Sequence, residues 1–512
     1  MDSSVKLEKT LTLLSTKYEK KFINVNIDYE LANSNNFQKF ANLVRENYKL
    51  AHKNNSNNNT SIINELYTFC SNQHDFIKIN KSRIPDGILP ENKIGFITDI
   101  NAIISNQKKR QLVNKENVKF YELDDDYIYK TYPEIQKNIP RGLTTFEIIN
   151  TYSNNNNNNN INDNKSQSNH HITEYHDFGI YANRKFIGLN ERDDDDDGSH
   201  INIAQKNNNK YFIQDVKYTE KIIFMEKING EAFHFSGRYI YNQFYWFIGS
   251  KRNHIMIGKM SDIDLYTDER YKQAKIFGKS FMKLLTLISK ENLNILKDLL
   301  HFTKITTVCE ILQPSYQHIV HIDGKDDKII FLMFCSAFVK DSLTVFPPNI
   351  ACEVMETLGF ASANYEIYKM EDEEELSEMK EIRMKEDSEG VVLYHLNEND
   401  ETIGLLKLKT TWYICLRALR EKLSRYFNQK QVWEIDDLEK KINERYDQIQ
   451  MWLSLTNEQV YEWKDIAKRF ITWLNQQQNV LLISKGMDIK SKFPIFWKQF
   501  LSNVYFNYET LN

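Results

Sequence analysis

One lysine stands at a position from which it could act as a nucleophile. Residues 225–235 read MEKINGEAFHF, so that Lys227 follows the apolar run IIFM and precedes Gly230 by three residues. A lysine amine at the mouth of a strand can form a covalent intermediate. Its ordinary pKa of about 10.4 keeps it protonated, and we expect partial burial and neighbouring cations to favour the neutral amine. A single K-x-x-G match is also common by chance, which leaves a solvated surface lysine as an equal alternative.

Two further lysines alternate near the end of an apolar run. In LLKLKTTWY (405–413), Lys407 and Lys409 are two residues apart and would point to the same face of a strand. Two amines on one face repel each other unless that face meets an anion such as a phosphate. The alternative is the wet face of a half-buried strand.

The elements that would position these lysines are short strands. Between about 115 and 413, runs rich in Ile, Val, Phe and Tyr predict strands, and a helical pair is predicted at roughly 268–300. The predicted strands lie in KIIFMEKI, FYWFIGS, KIIFLMF, GVVLYHL and GLLKLKT. We therefore predict an α+β fold with antiparallel-rich sheets.

The remainder of the chain has a helical texture. Helices are predicted at about 5–20 and 37–52, and apolar residues at helical spacing predict an all-helical domain after Cys415. Thr456 and Gln459 form a predicted capping box. The predicted domains are residues 1–110 (an N-terminal extension), 111–413 and 414–512.

Composition excludes several classes of protein. The net charge of −4 argues against a chain that is basic throughout, so any nucleic-acid groove must be local. Five scattered cysteines without a C-x-x-C pair indicate a reducing compartment. The first residues lack a signal peptide and no run is long enough to span a membrane, so we expect a cytoplasmic or nuclear protein.

Low-complexity runs predict solvated insertions. Asparagine runs occupy most of 54–59 and all of 154–160, and 193–197 is purely aspartate. None can bury apolar area, and we favour a solvated loop over a metal site for the acidic run. Within the middle domain, insertions are predicted near 152–171 and 192–209.

Further segments accompany the lysines in a fixed order along the chain. They are PRGLTTFE (140–147), NRKFIGLNE (183–191), the K-x-x-G at Lys227, GSKRNHI (249–255), CEILQPSYQHIV (309–320), SEGVV (388–392) and LKLKTTWY (406–413). This ordered set resembles the bacteriophage RNA ligase 1-like, tRNA-repair type, family of covalent nucleotidyltransferases. Seven ordered matches between Arg141 and Tyr413 are far more specific than any one of them.

The resemblance implies a fold and a reaction. The fold would be a nucleotidyltransferase (ATP-grasp-like ligase adenylation) domain followed by an all-helical C-terminal domain. The reaction would be the ATP-dependent joining of RNA 5′-phosphate and 3′-hydroxyl ends through lysyl-AMP, with Mg²⁺. RNA, possibly tRNA, would be the partner, with a phosphate-binding face from Lys464, Lys468, Lys485, Lys490, Lys492 and Lys498.

The resemblance also implies a role for each matched residue. Lys227 would be the nucleophile, while Lys407 and Lys409 would hold the α-phosphate. Nucleotide binding would involve Arg141, Lys185, Glu226, Gly230, Lys251, Glu310, Glu389 and Tyr413, with Glu389 also near the metal. Taken singly, each could be a surface charge or a core aromatic.

Two positions depart from the family pattern and motivate alternatives. Asn229 replaces a commonly acidic residue, and Ile187 replaces an aromatic one. They leave open a non-catalytic RNA- or nucleotide-binding protein that kept the fold. A capping-type guanylyltransferase is a third interpretation, although such enzymes usually carry an OB-fold where this chain is helical.

Overall fold

The computed structural model describes residues 3–22, 27–52, 57–116, 120, 123–151, 171–188, 211–369, 374–428, 435–477 and 489–509. The helices are α1 (Ser3–Phe22), α2 (Ile27–His52), α3 (Asn57–Asn72), α4 (Asn106–Glu116), α5 (Asp125–Thr131), α6 (Pro133–Asn138), α7 (Lys272–Leu285), α8 (Lys290–Thr303), α9 (Pro348–Thr357), α10 (Glu374–Met384), α11 (Thr411–Asn428), α12 (Ile435–Leu453), α13 (Asn457–Gln477) and α14 (Ile489–Glu509). The strands are β1 (Ile77–Arg83), β2 (Lys93–Ala102), β3 (Leu143–Thr151), β4 (His171–Tyr181), β5 (Ile187–Gly188), β6 (Lys221–Glu226), β7 (Glu231–Ile240), β8 (Gln243–Gly249), β9 (His254–Ile257), β10 (Thr306–Leu312), β11 (Lys328–Cys335), β12 (Ala361–Ser362), β13 (Tyr365–Lys369), β14 (Gly390–Leu396) and β15 (Thr402–Lys409).

The strands and helices predicted from apolar patterning are present. Strands β6, β8, β11, β14 and β15 occupy the five predicted runs, and α7 and α8 form the helical pair. The pairs β1–β2, β2–β3, β3–β4, β7–β8, β8–β9, β13–β6, β6–β14 and β14–β15 are antiparallel, and β15 with β5 is parallel. The prediction of an α+β fold with antiparallel-rich sheets and a helical C-terminal region is confirmed.

Contacts group the chain into two compact units. The first contains residues 1–185, 232–309 and 331–362, and the second contains 186–231, 310–330 and 363–512. This grouping differs from the three consecutive segments predicted as domains, because strands from distant parts of the chain share sheets. The three-domain division remains a prediction.

The first unit holds an antiparallel sheet in the order β1-β2-β3-β4 and most of a six-stranded sheet in the order β12-β11-β10-β7-β8-β9. The N-terminal extension is part of this unit. Thr10 of α1 donates to Asp298 of α8 at 3.1 Å, and the rings of Phe40 and Phe346 lie 4.6 Å apart. The extension therefore contributes to the core of this unit.

The second unit holds the five-stranded sheet β13-β6-β14-β15-β5 and the C-terminal helices. An apolar cluster that includes Ile222, Phe224, Leu393, Leu406 and Leu408 packs on this sheet. Strands β6, β14 and β15 are buried at nearly every position, as expected for apolar strands covered on both faces.

The C-terminal helices α11 to α14 share a core that is rich in aromatic side chains. Trp497 and Phe470 are buried there, with their rings 5.1 Å apart. The backbone of Thr456 donates to Gln459 Oε1 at 2.9 Å, and the backbone of Gln459 donates to Thr456 Oγ1 at 3.2 Å. The predicted capping box is therefore present before α13.

Most of the low-complexity runs lie outside the described residues, including the asparagine run at 154–160 and the acidic run at 193–197. The expectation of a loop at 54–59 is wrong in part, because α3 begins at Asn57. All five cysteines are free and buried. Across the described part of the chain, every helix is too short or too polar to cross a membrane.

Candidate active site

Lys227 lies directly after β6, where that strand still pairs with its neighbour. Its backbone N–H donates to the carbonyl of Gly390 at 2.8 Å, which continues the β6–β14 ladder by one residue. Its side chain is 20% exposed, and Nζ lies 2.7 Å from Oε1 of Glu389. The predicted nucleophile is thus a partly buried ammonium in an ion pair.

Glu389 reaches this position because β14 starts with a glycine. Gly390 has a φ of +120°, and a Cβ at this residue would lie 2.0 Å from the carbonyl oxygen of Leu408. Only glycine tolerates both this φ and this close approach, so the strand start requires glycine at position 390, directly after Glu389. The backbone carbonyl of Glu389 accepts from the backbone N–H of Thr410 at 3.2 Å. This bond holds the backbone of Glu389 at the start of β14, which lies between β6 and β15 in the sheet.

Asn229 holds the second oxygen of Glu389. Its Nδ2 donates to Glu389 Oε2 at 2.6 Å, and its Oδ1 accepts from the backbone N–H groups of Ile319 and Val320 at 2.9 and 3.0 Å. The side chain is buried and uses both ends of the amide. An aspartate could accept from the two backbone groups but could not donate to Glu389.

Glu310 is a further acidic neighbour of Lys227. The residue is half-buried in β10, and burial, with the nearby carboxylates of Glu389 and Glu231, raises its pKa to about 8 although Lys227 opposes the shift. Gly230 allows the close packing here, because a Cβ on it would lie 2.4 Å from the carbonyl oxygen of Ile311.

Lys407 and Lys409 lie on one face of β15, as predicted. Lys409 is buried and helps to hold the pKa of Glu389 low. The ammonium of Lys407 lies 4.9 Å from the ring centroid of Phe186. Lys409 sits in register with Gly390, and this places it beside the Lys227–Glu389 pair.

Tyr413, in the first turn of α11, closes the group. It is buried, and its hydroxyl lies 3.5 Å from Nδ2 of Asn229. Burial, together with Glu389, raises the pKa of its phenol to about 12. The second unit therefore brings together predicted site residues from four separated segments, namely Lys227, Gly230, Glu310, Glu389, Lys409 and Tyr413.

The protonation state expected for Lys227 is wrong in this structure. Burial does lower the pKa of the amine, but attraction to Glu389 and Glu310 outweighs burial and raises the pKa above its ordinary value. The same pair holds the pKa of Glu389 below its usual range despite burial. Lys227 is therefore a charged ammonium here, and attack requires it to lose a proton.

Glu226 lies beside the lysine in sequence but points elsewhere. It is exposed, and its Oε2 accepts from Nδ2 of Asn364 at 2.9 Å. Because neighbouring strand residues face opposite sides, Glu226 and the buried Met225 lie on different faces of β6. The role of Glu226 in nucleotide binding stays a prediction.

Arg141 and Lys185 lie in the first unit and meet each other there. Arg141 precedes β3 and Lys185 follows β4, and both contact the carboxylate of Asp126 in α5. Arg141 Nη2 also lies 2.9 Å from Asp125 Oδ2. The two predicted phosphate ligands thus form one basic cluster with two acidic partners.

Lys251 lies in the turn between β8 and β9 of the first unit. Ser250 donates to the carbonyl of Asn253 at 3.1 Å, and Nδ2 of Asn101 donates to the carbonyl of Arg252 at 3.0 Å. His254, which ends the turn, is fully buried with Nδ1 2.7 Å from Oγ1 of Thr144. The turn that carries Lys251 is therefore held by buried polar contacts.

The residues that depart from the family pattern have local structural roles. Asn229 orients Glu389, and Ile187 packs against the apolar cluster of the five-stranded sheet. The sequence indicated Asn229 only by its position inside K-x-x-G, and nothing in the sequence pointed to its three partners. Their identity depends on strands that are distant along the chain.

No group of three or more His, Cys, Asp or Glu side chains in the described residues is arranged to hold a metal ion. Both oxygens of Glu389 are engaged, by Lys227 and Asn229. The role of Glu389 near a metal therefore stays a prediction.

Comparison with solved structures gives a distant likeness. The sequence matches no protein-family model and no curated protein. Among solved structures, a putative ATP-dependent DNA ligase from Aquifex aeolicus is similar with a TM-score of 0.32 and 16% sequence identity. The match covers 51% of this chain and 62% of that one, which is less than two thirds of its length.

Asn229→Asp should destabilise the protein at pH 8 by about 1–3 kcal/mol, because it removes a donor to buried Glu389 and adds a carboxylate beside it. Denaturant unfolding of the variant and the wild type measures the difference. Asn364→Asp is the matched control, since Asn364 makes the same amide–carboxylate bond to Glu226 at the surface. Equal losses in the two variants would contradict the buried role of Asn229.

Glu310→Gln should change how stability depends on pH. The raised pKa means that folding takes up a proton between the ordinary value of 4.5 and about 8. The stability contribution is complete below pH 4.5 and is lost as pH rises to 8, by at most about 1.4 kcal/mol per pH unit. Relative to Glu310→Gln, the wild type should weaken from pH 5 to 8 in denaturant titrations, and parallel curves would contradict the shift.

Proposed function

We propose that this chain is an ATP-dependent RNA ligase that adenylates itself on Lys227. The AMP would pass to an RNA 5′-phosphate, and a 3′-hydroxyl would then displace AMP to form the phosphodiester bond. The observation that carries the proposal is the convergence of Lys227, Glu389, Glu310 and Lys409 in the second unit. These residues come from separate segments whose order prompted the family resemblance.

The first step requires an amine with an acceptor for its proton. Glu389 Oε1 lies 2.7 Å from Lys227 Nζ and is placed to take it. The nitrogen lone pair would then form a bond to the α-phosphorus while the bond to the bridging oxygen breaks, and pyrophosphate would leave with that electron pair. A second proton passes from the nitrogen to the departing pyrophosphate or to water, which gives the neutral phosphoramide.

The second and third steps follow the same pattern of in-line displacement. An oxygen of the RNA 5′-phosphate attacks the AMP phosphorus, and the N–P bond to Lys227 breaks. The 3′-hydroxyl then attacks the phosphorus of the activated end, and AMP leaves. Lys407 and Lys409, on one face of β15, supply fixed positive charge for the phosphate oxygens.

The carboxylates of the site fit a magnesium ion that is shared with the nucleotide. Glu310 has its pKa raised to about 8 by burial and by two nearby carboxylates, so this region favours added positive charge. Magnesium in such sites is commonly held by one or two carboxylates together with substrate phosphates. Glu310 and Glu389 would hold it, and its charge would offset that of the triphosphate.

RNA as the substrate rests on the family resemblance and on the helical C-terminal region. Several lysines of that region engage carboxylates: Lys464 with Asp447 at 2.5 Å, Lys468 with Glu439 at 3.5 Å, Lys490 with Glu421 at 3.7 Å and Lys498 with Asp323 at 3.1 Å. Such exposed pairs are weak and can exchange for phosphate contacts. Lys485 lies outside the described residues.

Incubation with ATP and magnesium should add one adenylyl group to the protein, which intact-mass spectrometry detects. Lys227→Ala should abolish the adduct, whereas Lys217→Ala, at an exposed position ten residues earlier, should keep it. Pyrophosphate should remove the adduct because it reverses the first step.

Other outcomes separate the alternatives. An adduct with GTP but not ATP would indicate a guanylyltransferase. Binding of ATP without any adduct would indicate a non-catalytic nucleotide-binding protein. Equal adducts on Lys227→Ala and the wild type would remove Lys227 from the reaction.

The adenylated protein, freed of ATP, should join single-stranded RNA with a 5′-phosphate and a 3′-hydroxyl, with one ligation per adduct. Gel analysis of end-labelled RNA measures the product. RNA that ends in a 5′-hydroxyl is the control and should stay unjoined. Joining of nicked DNA duplex, but not of RNA, would contradict the RNA assignment while leaving Lys227 as nucleophile.

A further inference from the structure

The basic cluster of the first unit consists of Arg141 and Lys185, and the backbone brings the two residues together. The N–H of Arg141 donates to the carbonyl of Asn183 at 3.0 Å, and Ala182 donates to Gly142 at 2.8 Å. These bonds extend the β3–β4 pairing past its ends. Gly142 has a φ of +105°, and a Cβ there would lie 2.4 Å from Nδ1 of His234.

Both cations converge on the same atom. Arg141 Nη2 and Lys185 Nζ each contact Oδ1 of Asp126, and Asp125 supplies a second carboxylate to Arg141 at 2.9 Å. One oxygen that accepts from a guanidinium and an ammonium together has the contacts of a phosphate oxygen. The carboxylate thus has the charge and the position of a bound anion.

The carboxylate of Asp126 is more exposed to solvent than either of the two cations. The Lys185 side chain is 7% exposed and the Arg141 side chain 24%, whereas the Asp126 side chain is 37% exposed. Water therefore competes for Asp126 more than for either cation, whereas Lys185 left without an anion would be a buried charge without a partner. Asp126 can turn to solvent when another anion takes its place beside Lys185.

The helix that carries Asp126 does not depend on its side chain. Asp124 caps α5, and its carboxylate accepts from the backbone of Asp126 at 2.9 Å and of Tyr127 at 3.1 Å. Gln136 Nε2 donates to the carbonyl of Lys185 at 2.7 Å and holds the lysine backbone. Loss of the Asp126 contact would leave both backbones supported.

We propose that Asp126 occupies the place of a nucleotide phosphate between Arg141 and Lys185, and that a polyphosphate chain displaces it on binding. This inference rests on the proposed function, because the family resemblance that supports that function implies nucleotide binding by these two cations. A polyphosphate offers more charge and more acceptor oxygens than one carboxylate. Asp126 thereby lowers the affinity for every anion and disfavours those with a single weak charge.

Asp126→Asn removes the competing charge while it keeps the shape of the side chain. The full chain with this substitution should bind inorganic tripolyphosphate roughly three- to ten-fold more tightly than the wild type in calorimetry. Asp86→Asn, which breaks the exposed pair with Arg83 at 2.7 Å, is the matched control and should bind as the wild type does. Lys185→Gln should bind more weakly.

Two results would overturn the proposal. One is an Asp126→Asn protein that melts like the wild type but binds tripolyphosphate no more tightly. The other is unchanged binding by Lys185→Gln.

A second measurement uses the wild type and does not depend on folding of a variant. Carboxyl-directed chemical labelling, read by peptide mass spectrometry, should modify Asp126 more strongly when tripolyphosphate is present, while Asp86 stays unchanged. Unchanged or reduced labelling of Asp126 would contradict displacement.

Tripolyphosphate carries no adenosine and allows no transfer to Lys227. If no lysyl-AMP adduct forms but Asp126 still competes with tripolyphosphate, the proposed ligase function alone would be wrong. If the adduct forms but Asp126 does not compete with tripolyphosphate, this inference alone would be wrong.

Discussion

The ion pair between Lys227 and Glu389 is the interaction on which the candidate site depends. Removing a carboxylate and an ammonium from water costs several kcal/mol for each ion, and the pair recovers this only with good geometry and further hydrogen bonds. The 2.7 Å contact supplies the geometry, and Asn229 satisfies the other carboxylate oxygen. The glycine at position 390 is part of the same requirement, because a Cβ there would push β14 away from β15.

The charges around this ion pair explain the pKa shifts of Glu310 and Lys227. Lys227 and Lys409 face Glu389 and Glu310, and the pKa of Glu310 rises to about 8 because burial and the other carboxylates outweigh its attraction to Lys227. Lys227, the proposed nucleophile, is then a stable ammonium, with its pKa above the ordinary value. Reaction would require a shift of a proton within this group, and the shift would be coupled to the charges that a substrate brings.

The same principle holds in the first unit, where the cations assigned to a nucleotide also contact carboxylates. Arg141 and Lys185 share Asp126, as Lys227 and Lys409 share the field of Glu389. Cations held close together without anions would repel one another and destabilise the fold, so each group of cations is packed against carboxylates of the same unit. In the second unit the anion is buried and braced by Asn229, while in the first it is the most exposed member of its cluster. This difference is why only Asp126 is suited to exchange with solvent.

The sequence by itself determined the secondary-structure elements and predicted the candidate site residues. Short runs rich in Ile, Val, Phe and Tyr predicted β6, β14 and β15, and helical spacing with the Thr456–Gln459 box predicted the C-terminal helices, because both signals are local along the chain. It could not determine which side chains meet. The amide of Asn229 departs from the family pattern, and only the tertiary structure shows Glu389 and the backbone of Ile319 at its two ends. The expectation for the pKa of Lys227 is wrong for the same reason, since the sign of the shift depends on Glu389 and Glu310. Both are distant along the chain, and only the tertiary structure brings their carboxylates to the amine.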